Sequence, residues 1–219
     1  MKSKIVFKSF LPDISFSLEK NKPLNFSWFK KAYEDYKKNF ASMTMHTIRC
    51  PGINGIIKTG WVQKTYQDIV ITTNGDQKGF TWRSEFDQKN TEYGDVIGDY
   101  VHYHTPDQLD KFRPMNTHTL KTIVKIQSPW VVFVPKGYKL LSMPVAYNDT
   151  NAFTAATGFL HEGMEALNVQ LYWHNLHGET LVKKGTPICQ YILIKDLDTT
   201  EKFSMAGEKE RKLLKEFKI

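Results

Sequence analysis

Hydrophobic positions along this chain recur with two different periods. From Ser27, the run SWFKKAYEDYKKNF sets Trp28, Phe29, Ala32, Tyr33, Tyr36 and Phe40 three to four residues apart. That spacing predicts an amphipathic helix with an aromatic face, and Ser27 is suited to its N-cap. Elsewhere the apolar runs are short and broken by Gly, Pro and Asn, which favours strands. KIVFKSF near the start reads as a strand, and PDISFSLEKNKP after it as irregular. Residues 47–60, TIRCPGINGIIKTG, combine Pro51 with three glycines and predict a tight turn or a hairpin entry. WVQKTYQDIVITTNGD then reads as one strand ending at Asn74-Gly75, a pair suited to a two-residue hairpin turn. FTWRSEF is the returning strand, with Phe80, Trp82 and Ser84 on one side. Residues 85–120 are polar and show no clear period.

From Leu120 the pattern sharpens. LKTIVKIQSPWVVFVPKGYKLLSMPVAY predicts three short strands, broken at Pro129 and at Pro135-Lys136-Gly137. In LNVQLYWHN, Val169, Leu171 and Trp173 face one way and Gln170, Tyr172 and His174 the other. A turn is expected from Asn175 to Gly178. LVKKGTPICQYILIKD reads as a turn and then a strand that is apolar on both faces, so it belongs in the middle of a sheet. The last stretch, EKFSMAGEKERKLLKEFKI, predicts a charged helix docked through Leu213, Leu214 and Phe217. There is no repeat and no linker. The predicted organisation is an N-terminal extension with an aromatic helix over 1–40, one mainly β domain over 41–200, and a C-terminal charged helix over 201–219.

Composition alters this picture little: 219 residues, 41% hydrophobic and 24% charged, are ordinary for a globular chain with a sizeable core. The placement of charge matters more than the net +7. Residues 1–40 hold nine Lys against four acids, residues 201–219 hold six bases against four Glu, and the middle balances. A nucleic-acid groove needs cations clustered where phosphates lie, so nucleic acid is not the expected partner. The two cysteines, Cys50 and Cys189, form no CxxC pair, which argues for a reduced, intracellular chain without a zinc knuckle. No run reaches the roughly 18 apolar residues that cross a bilayer. The N-terminal residues lack the apolar core of a secretory signal. The expectation is a soluble, cytoplasmic protein with no membrane partner.

Three histidine groups are candidates for chemistry. HYHTPD sets His102 and His104 on one face of a strand, a spacing that a metal can use, with Asp107 as a third ligand. WHNLHGE places His174 and His177 across a turn, where they do not share a strand face. FLHEG brings His161 and Glu162 together in sequence, although adjacent side chains of an extended segment point apart; His161 is the candidate general base. The chain carries no Walker A loop, no GxSxG elbow, no HExxH helix and no dinucleotide GxGxxG. No cofactor is identified.

The segment TGFLHEGMEALNVQLYWHNLHGETLVKKGTPICQ resembles the C-terminal half of the trimeric dUTPase and dCTP deaminase barrel. In that family a Gly-apolar-apolar-Asp turn leads into a strand, an Asn, a charged turn and a Lys-Lys-Gly-Asp-Arg-Ile-Ala-Gln type element. GFLHEG stands at the first turn, LNVQLYWHN at the strand with Asn175 at the Asn, and LVKKGTPICQYILIK at the closing element with Gln190 at the Gln. Upstream, VPKGYKLLSMPV is similar to the Pro-x-Gly-Tyr strand. The resemblance covers roughly residues 120–195. It implies a mainly β jelly-roll or distorted barrel with N-terminal and C-terminal helices, a homo-oligomer such as a trimer, and a nucleotide or small ligand in a crevice beside residues 158–175. Asn175 and Gln190 are the implied ligand contacts. The family's chemical groups are replaced: its water-activating Asp falls on His161 and its deaminase Glu on Tyr172. SMPVAYND carries no phosphate-loop Arg, and EKERKLLKEF stands in place of the Gly-rich lid. RCPGINGIIKTGWVQKTYQDIVI, IQSPW and KKGTPICQ also resemble uncharacterised proteins of tailed phages, notably those infecting marine cyanobacteria, which implies a host-cytoplasm setting. The expected function is a non-catalytic module binding a ligand or a protein. The alternatives are a nucleotide-acting hydrolase or deaminase using His161, Glu162 and Tyr172, and a virion or assembly component.

Overall fold

A computed structural model describes residues 4–22, 27–39, 47–108 and 116–197, together with Lys111 and Glu208. The chain is mainly β, and among the described residues its strands assemble into four open antiparallel sheets, none of which closes on itself into a barrel. Each sheet joins strands from distant parts of the sequence. The first pairs β1 (Val6–Ser9), β8 (Trp130–Val134) and β12 (Gly163–Ala166). The second runs β10 (Phe153–Ala155), β13 (Val169–Trp173), β7 (Ile123–Ile126) and β6 (Val101–His104). The third runs β11 (Gly158–Leu160), β9 (Tyr138–Met143), β15 (Pro187–Lys195), β3 (Trp61–Lys64) and β2 (Leu18–Lys20). The fourth holds β14 (His177–Val182), β4 (Ile69–Asn74) and β5 (Phe80–Ser84).

The alternation in β13 is as expected: Val169, Leu171 and Trp173 are buried, Gln170 is exposed and Tyr172 is half-buried. Strand β15 is central, with β9 on one side and β3 on the other. The prolines and Pro135-Lys136-Gly137 separate β7, β8 and β9 where the pattern predicted. One core joins the inner faces of these sheets, with Leu120, Val124, Val132, Leu140 and Leu167 fully enclosed. A second, smaller cluster of Phe29, Ile48, Ile57, Val62 and Val145 seats α1 (Ser27–Lys38) against the body. Trp28 Nε1 donates to the Tyr147 carbonyl at 2.7 Å, and the Ser27 hydroxyl donates to Asp149 Oδ2 at 2.6 Å.

Several expectations are corrected. Within the N-terminal extension, the stretch expected to be irregular contains β2, which pairs with β3, while β1 pairs with β8. The Pro-Gly stretch over 47–60 is a 3-10 turn (Thr47–Arg49) followed by a helix, α2 (Pro51–Ile56). Pro51 takes the first helical position, where its missing N–H costs nothing. The run predicted as one strand over 61–74 is two strands in different sheets. Between them Thr65 is buried, its N–H bonded to the Thr186 carbonyl and its carbonyl to the Gly185 N–H, which turns the chain. The β4–β5 connection is longer than two residues, since Thr73 pairs with Phe80. Asn74 Oδ1 accepts from Asp76 N and Asp76 Oδ1 from Lys78 N, so two side chains supply successive turns. The turn expected to run to Gly178 stops earlier, because His177 and Gly178 pair with Asn74 and Thr73. Residues 85–108 hold a 3-10 turn, the short helix α3 (Gly94–Ile97), β6 and a further 3-10 turn. The predicted C-terminal helix lies outside the described residues except for Glu208, which is helical. No helix among the described residues is long and apolar enough to cross a membrane.

Candidate functional site

Strand β13 is paired along one side by β10, and this ladder extends to the Ala156 N–H, which donates to the Gln170 carbonyl at 2.8 Å. The chain then leaves β13. Residues Gly158–Leu160 become β11, which pairs with β9 in a different sheet and, among the described residues, has no strand on its other side. Where the two paths diverge, a crevice of about 180 Å³ opens. Its walls are residues 156–160 and 168–170, with Ser142 of β9 and Cys189 of β15 completing it. The described residues lining it include no acidic or basic side chain. Burial pushes the Cys189 thiol up to about 12, against weaker lowering by hydrogen bonds from neighbours, so it stays protonated; its Sγ donates to the Met143 carbonyl at 3.5 Å. The crevice is therefore electrically neutral. Its polar groups are strand backbone, the Thr157 hydroxyl, the Ser142 hydroxyl, which donates to the Gly158 carbonyl at 3.3 Å, and the amides of Asn168 and Gln170.

The residues singled out from the sequence are dispersed. His102 lies exposed on the edge strand β6, where its Nδ1 accepts from the Tyr103 N–H at 2.7 Å and its ring stacks on that of Tyr103. His104 Nδ1 donates to Gln108 Oε1 at 2.7 Å, and its Nε2 lies 3.5 Å from Gln170 Nε2. Asp107 is exposed in the turn beyond the strand. No group of three or more His, Cys, Asp or Glu side chains able to hold a metal occurs among the described residues, so the expected His102, His104 and Asp107 triad is not assembled. His161 and Glu162 are both exposed in the connection from β11 to β12; Glu162 Oε2 accepts from the Gly137 N–H at 3.2 Å, tying that connection to the β8–β9 turn. Tyr172 sits opposite Thr154 on the outer side of the second sheet. Asn175 is exposed, its amide donating to the Thr180 hydroxyl at 3.2 Å.

Gln190, expected at a ligand, is fully buried. Its Nε2 donates to the carbonyls of Ile56 at 2.9 Å and Thr59 at 3.0 Å, and its Oε1 accepts from the Ala146 N–H at 3.1 Å. The side chain staples the end of α2 and the segment after β9 onto β15, a structural task that leaves no donor for a ligand.

His174, left aside on sequence grounds, is half-buried and held at both ring nitrogens. Its Nε2 lies 2.8 Å from the Thr154 hydroxyl and its Nδ1 3.4 Å from that of Thr119. Burial lowers its pKa below the ordinary histidine value, against a smaller opposing effect of the His118 backbone. Among the crevice residues that sequence reasoning missed is Asn168. Its only sequence signal was a polar residue opening an otherwise regular alternation. No family model, no curated protein and no solved structure matches this chain.

Proposed function

We propose that this chain is a non-catalytic ligand-binding module on a dUTPase-like scaffold, and that the crevice between β11 and β13 takes an uncharged planar heterocycle of the nucleobase kind. The observation that carries this reading is the neutrality of the crevice together with its flanking strand backbone. Backbone N–H and C=O groups at a strand edge lie in one plane and pair with a flat ring, as they do with another strand. A triphosphate asks for something different: cations and several donors around each phosphate. The crevice lining supplies no cation. A base would thus be held and its phosphates left in water. The same consideration sets aside hydrolysis or deamination by His161, Glu162 and Tyr172, none of which lines the crevice.

Calorimetry with a nucleoside and its 5′-triphosphate tests this directly. The two should bind with affinities within about threefold of each other, since solvated phosphates add little, and the triphosphate should be recovered unchanged. A triphosphate bound a hundredfold more tightly, or consumed, would favour the nucleotide-acting enzyme instead. Silence with every nucleoside would refute the crevice as a base site.

A further inference from the structure

Asn168 stands in the connection from β12 to β13, between Leu167 and Val169, both buried. The Leu167 N–H donates to the Trp130 carbonyl at 3.0 Å, so the backbone here is held to the start of β8. Asn168 Oδ1 accepts from the Ser128 N–H at 2.9 Å. Ser128 is itself fixed: it is buried, and its hydroxyl accepts from the Trp130 N–H at 3.1 Å. An N–H group can be accepted only by the oxygen of a carboxamide, so this bond decides which way the amide lies. The NH₂ end must point away from Ser128. Nδ2 has no partner among the described residues; the side chain borders the crevice and also a second hollow that includes Ser128 itself.

We infer that Asn168 is the specificity-determining residue of the crevice, and that its Nδ2 donates to a carbonyl oxygen on the bound heterocycle. This rests on the crevice being a heterocycle site, as argued above. The physical ground is the asymmetry of hydrogen bonding in a partly enclosed place. A donor fixed by a rigid neighbour is satisfied by a ligand carbonyl, whereas a ligand amino group sets donor against donor and leaves both unpaired. Asn168 cannot adapt by flipping, because its NH₂ would then face the Ser128 N–H. The ligand class is therefore a lactam-type heterocycle, one with C=O at this edge, in preference to its amino counterpart.

The test uses the full chain and two pairs of neutral nucleosides, uridine against cytidine and inosine against adenosine. Within at least one pair, the carbonyl-bearing member should bind the unsubstituted protein roughly tenfold or more tightly, the scale of one hydrogen bond gained and one donor left unpaired. Asn168→Asp is the informative variant: one carboxylate oxygen keeps the bond from the Ser128 N–H, while the other replaces the NH₂ donor with an acceptor. It should lose or invert the preference. Should that variant fold poorly, the ¹⁵N resonance of the Asn168 side chain in the unsubstituted protein reports the same contact, and should move on adding the preferred nucleoside. Binding with no preference, a preference unchanged in Asn168→Asp, or an unmoved Asn168 resonance overturns the role of Asn168 and leaves the crevice reading intact. No binding of any of the four overturns both.

Discussion

Gln190→Met replaces the buried amide with an apolar side chain of similar length, and the structure sets the cost. Three backbone groups lose a partner: the carbonyls of Ile56 and Thr59 and the N–H of Ala146. They are not equally exposed to the loss. The Ile56 carbonyl keeps the Thr59 N–H at 3.3 Å, so two groups, the Thr59 carbonyl and the Ala146 N–H, are left without a bond. Thr59 is exposed and Ala146 half-buried, so water can replace part of what is lost; with about 1–3 kcal/mol for a group left wholly unsatisfied, the substitution should cost about 1–4 kcal/mol. Against a total stability of about 5–15 kcal/mol for a domain, that is a large fraction. Urea unfolding followed by fluorescence measures it, with the midpoint falling and the slope unchanged. Amide exchange gives a local reading, since the Ala146 N–H should lose its protection while amides in β8 keep theirs apart from the global shift. A loss below about 1 kcal/mol, or a loss of nucleoside affinity without loss of stability, would refute the structural role and return Gln190 to the ligand.

Two further outcomes follow from single features. His174 has a folded-state pKa below the ordinary histidine value of about 6.5, so the unfolded chain takes up its proton first. Its contribution is fully present above that value and declines as pH falls below it, levelling off beneath the native pKa. His174→Asn should flatten that part of the Tm against pH curve, and an unchanged slope would contradict the assignment. Gly60 has φ +77°, and a Cβ there would lie 1.8 Å from the Tyr191 carbonyl oxygen on the neighbouring strand. Gly60→Ala combines a left-handed backbone with that overlap and should cost at least about 2 kcal/mol, read as a fall in the unfolding midpoint; a neutral result would mean that β15 does not approach Gly60 this closely.

What the sequence determined by itself is local. The three-to-four spacing of Trp28, Phe29, Tyr33 and Tyr36 is a property of one helix, and the alternation of Val169, Leu171 and Trp173 a property of one strand, so both are legible without knowing their neighbours. Proline and glycine likewise end strands through their own backbone restrictions, as at Pro129 and Gly137. Tertiary structure decided everything that depends on pairing across the chain. The helix over 51–56 looked like a turn because its glycines and proline argue against helix locally; packing of Ile57 and Val62 with Phe29 overrides them. The segment 61–74 divides between two sheets because Thr65 is clasped by the Lys183–Thr186 turn, more than a hundred residues away. Gln190 carried the look of a ligand contact, and only the arrival of Ile56, Thr59 and Ala146 from other elements gives it a structural task. The crevice itself belongs to no segment. It exists because residues 157–160 abandon β13 for β9, and Asn168 gains a direction only when Ser128 is placed beside it. Hydrogen-bond partners distant in sequence leave no periodic trace, so such sites are fixed by register between strands and not by the residues of any one of them.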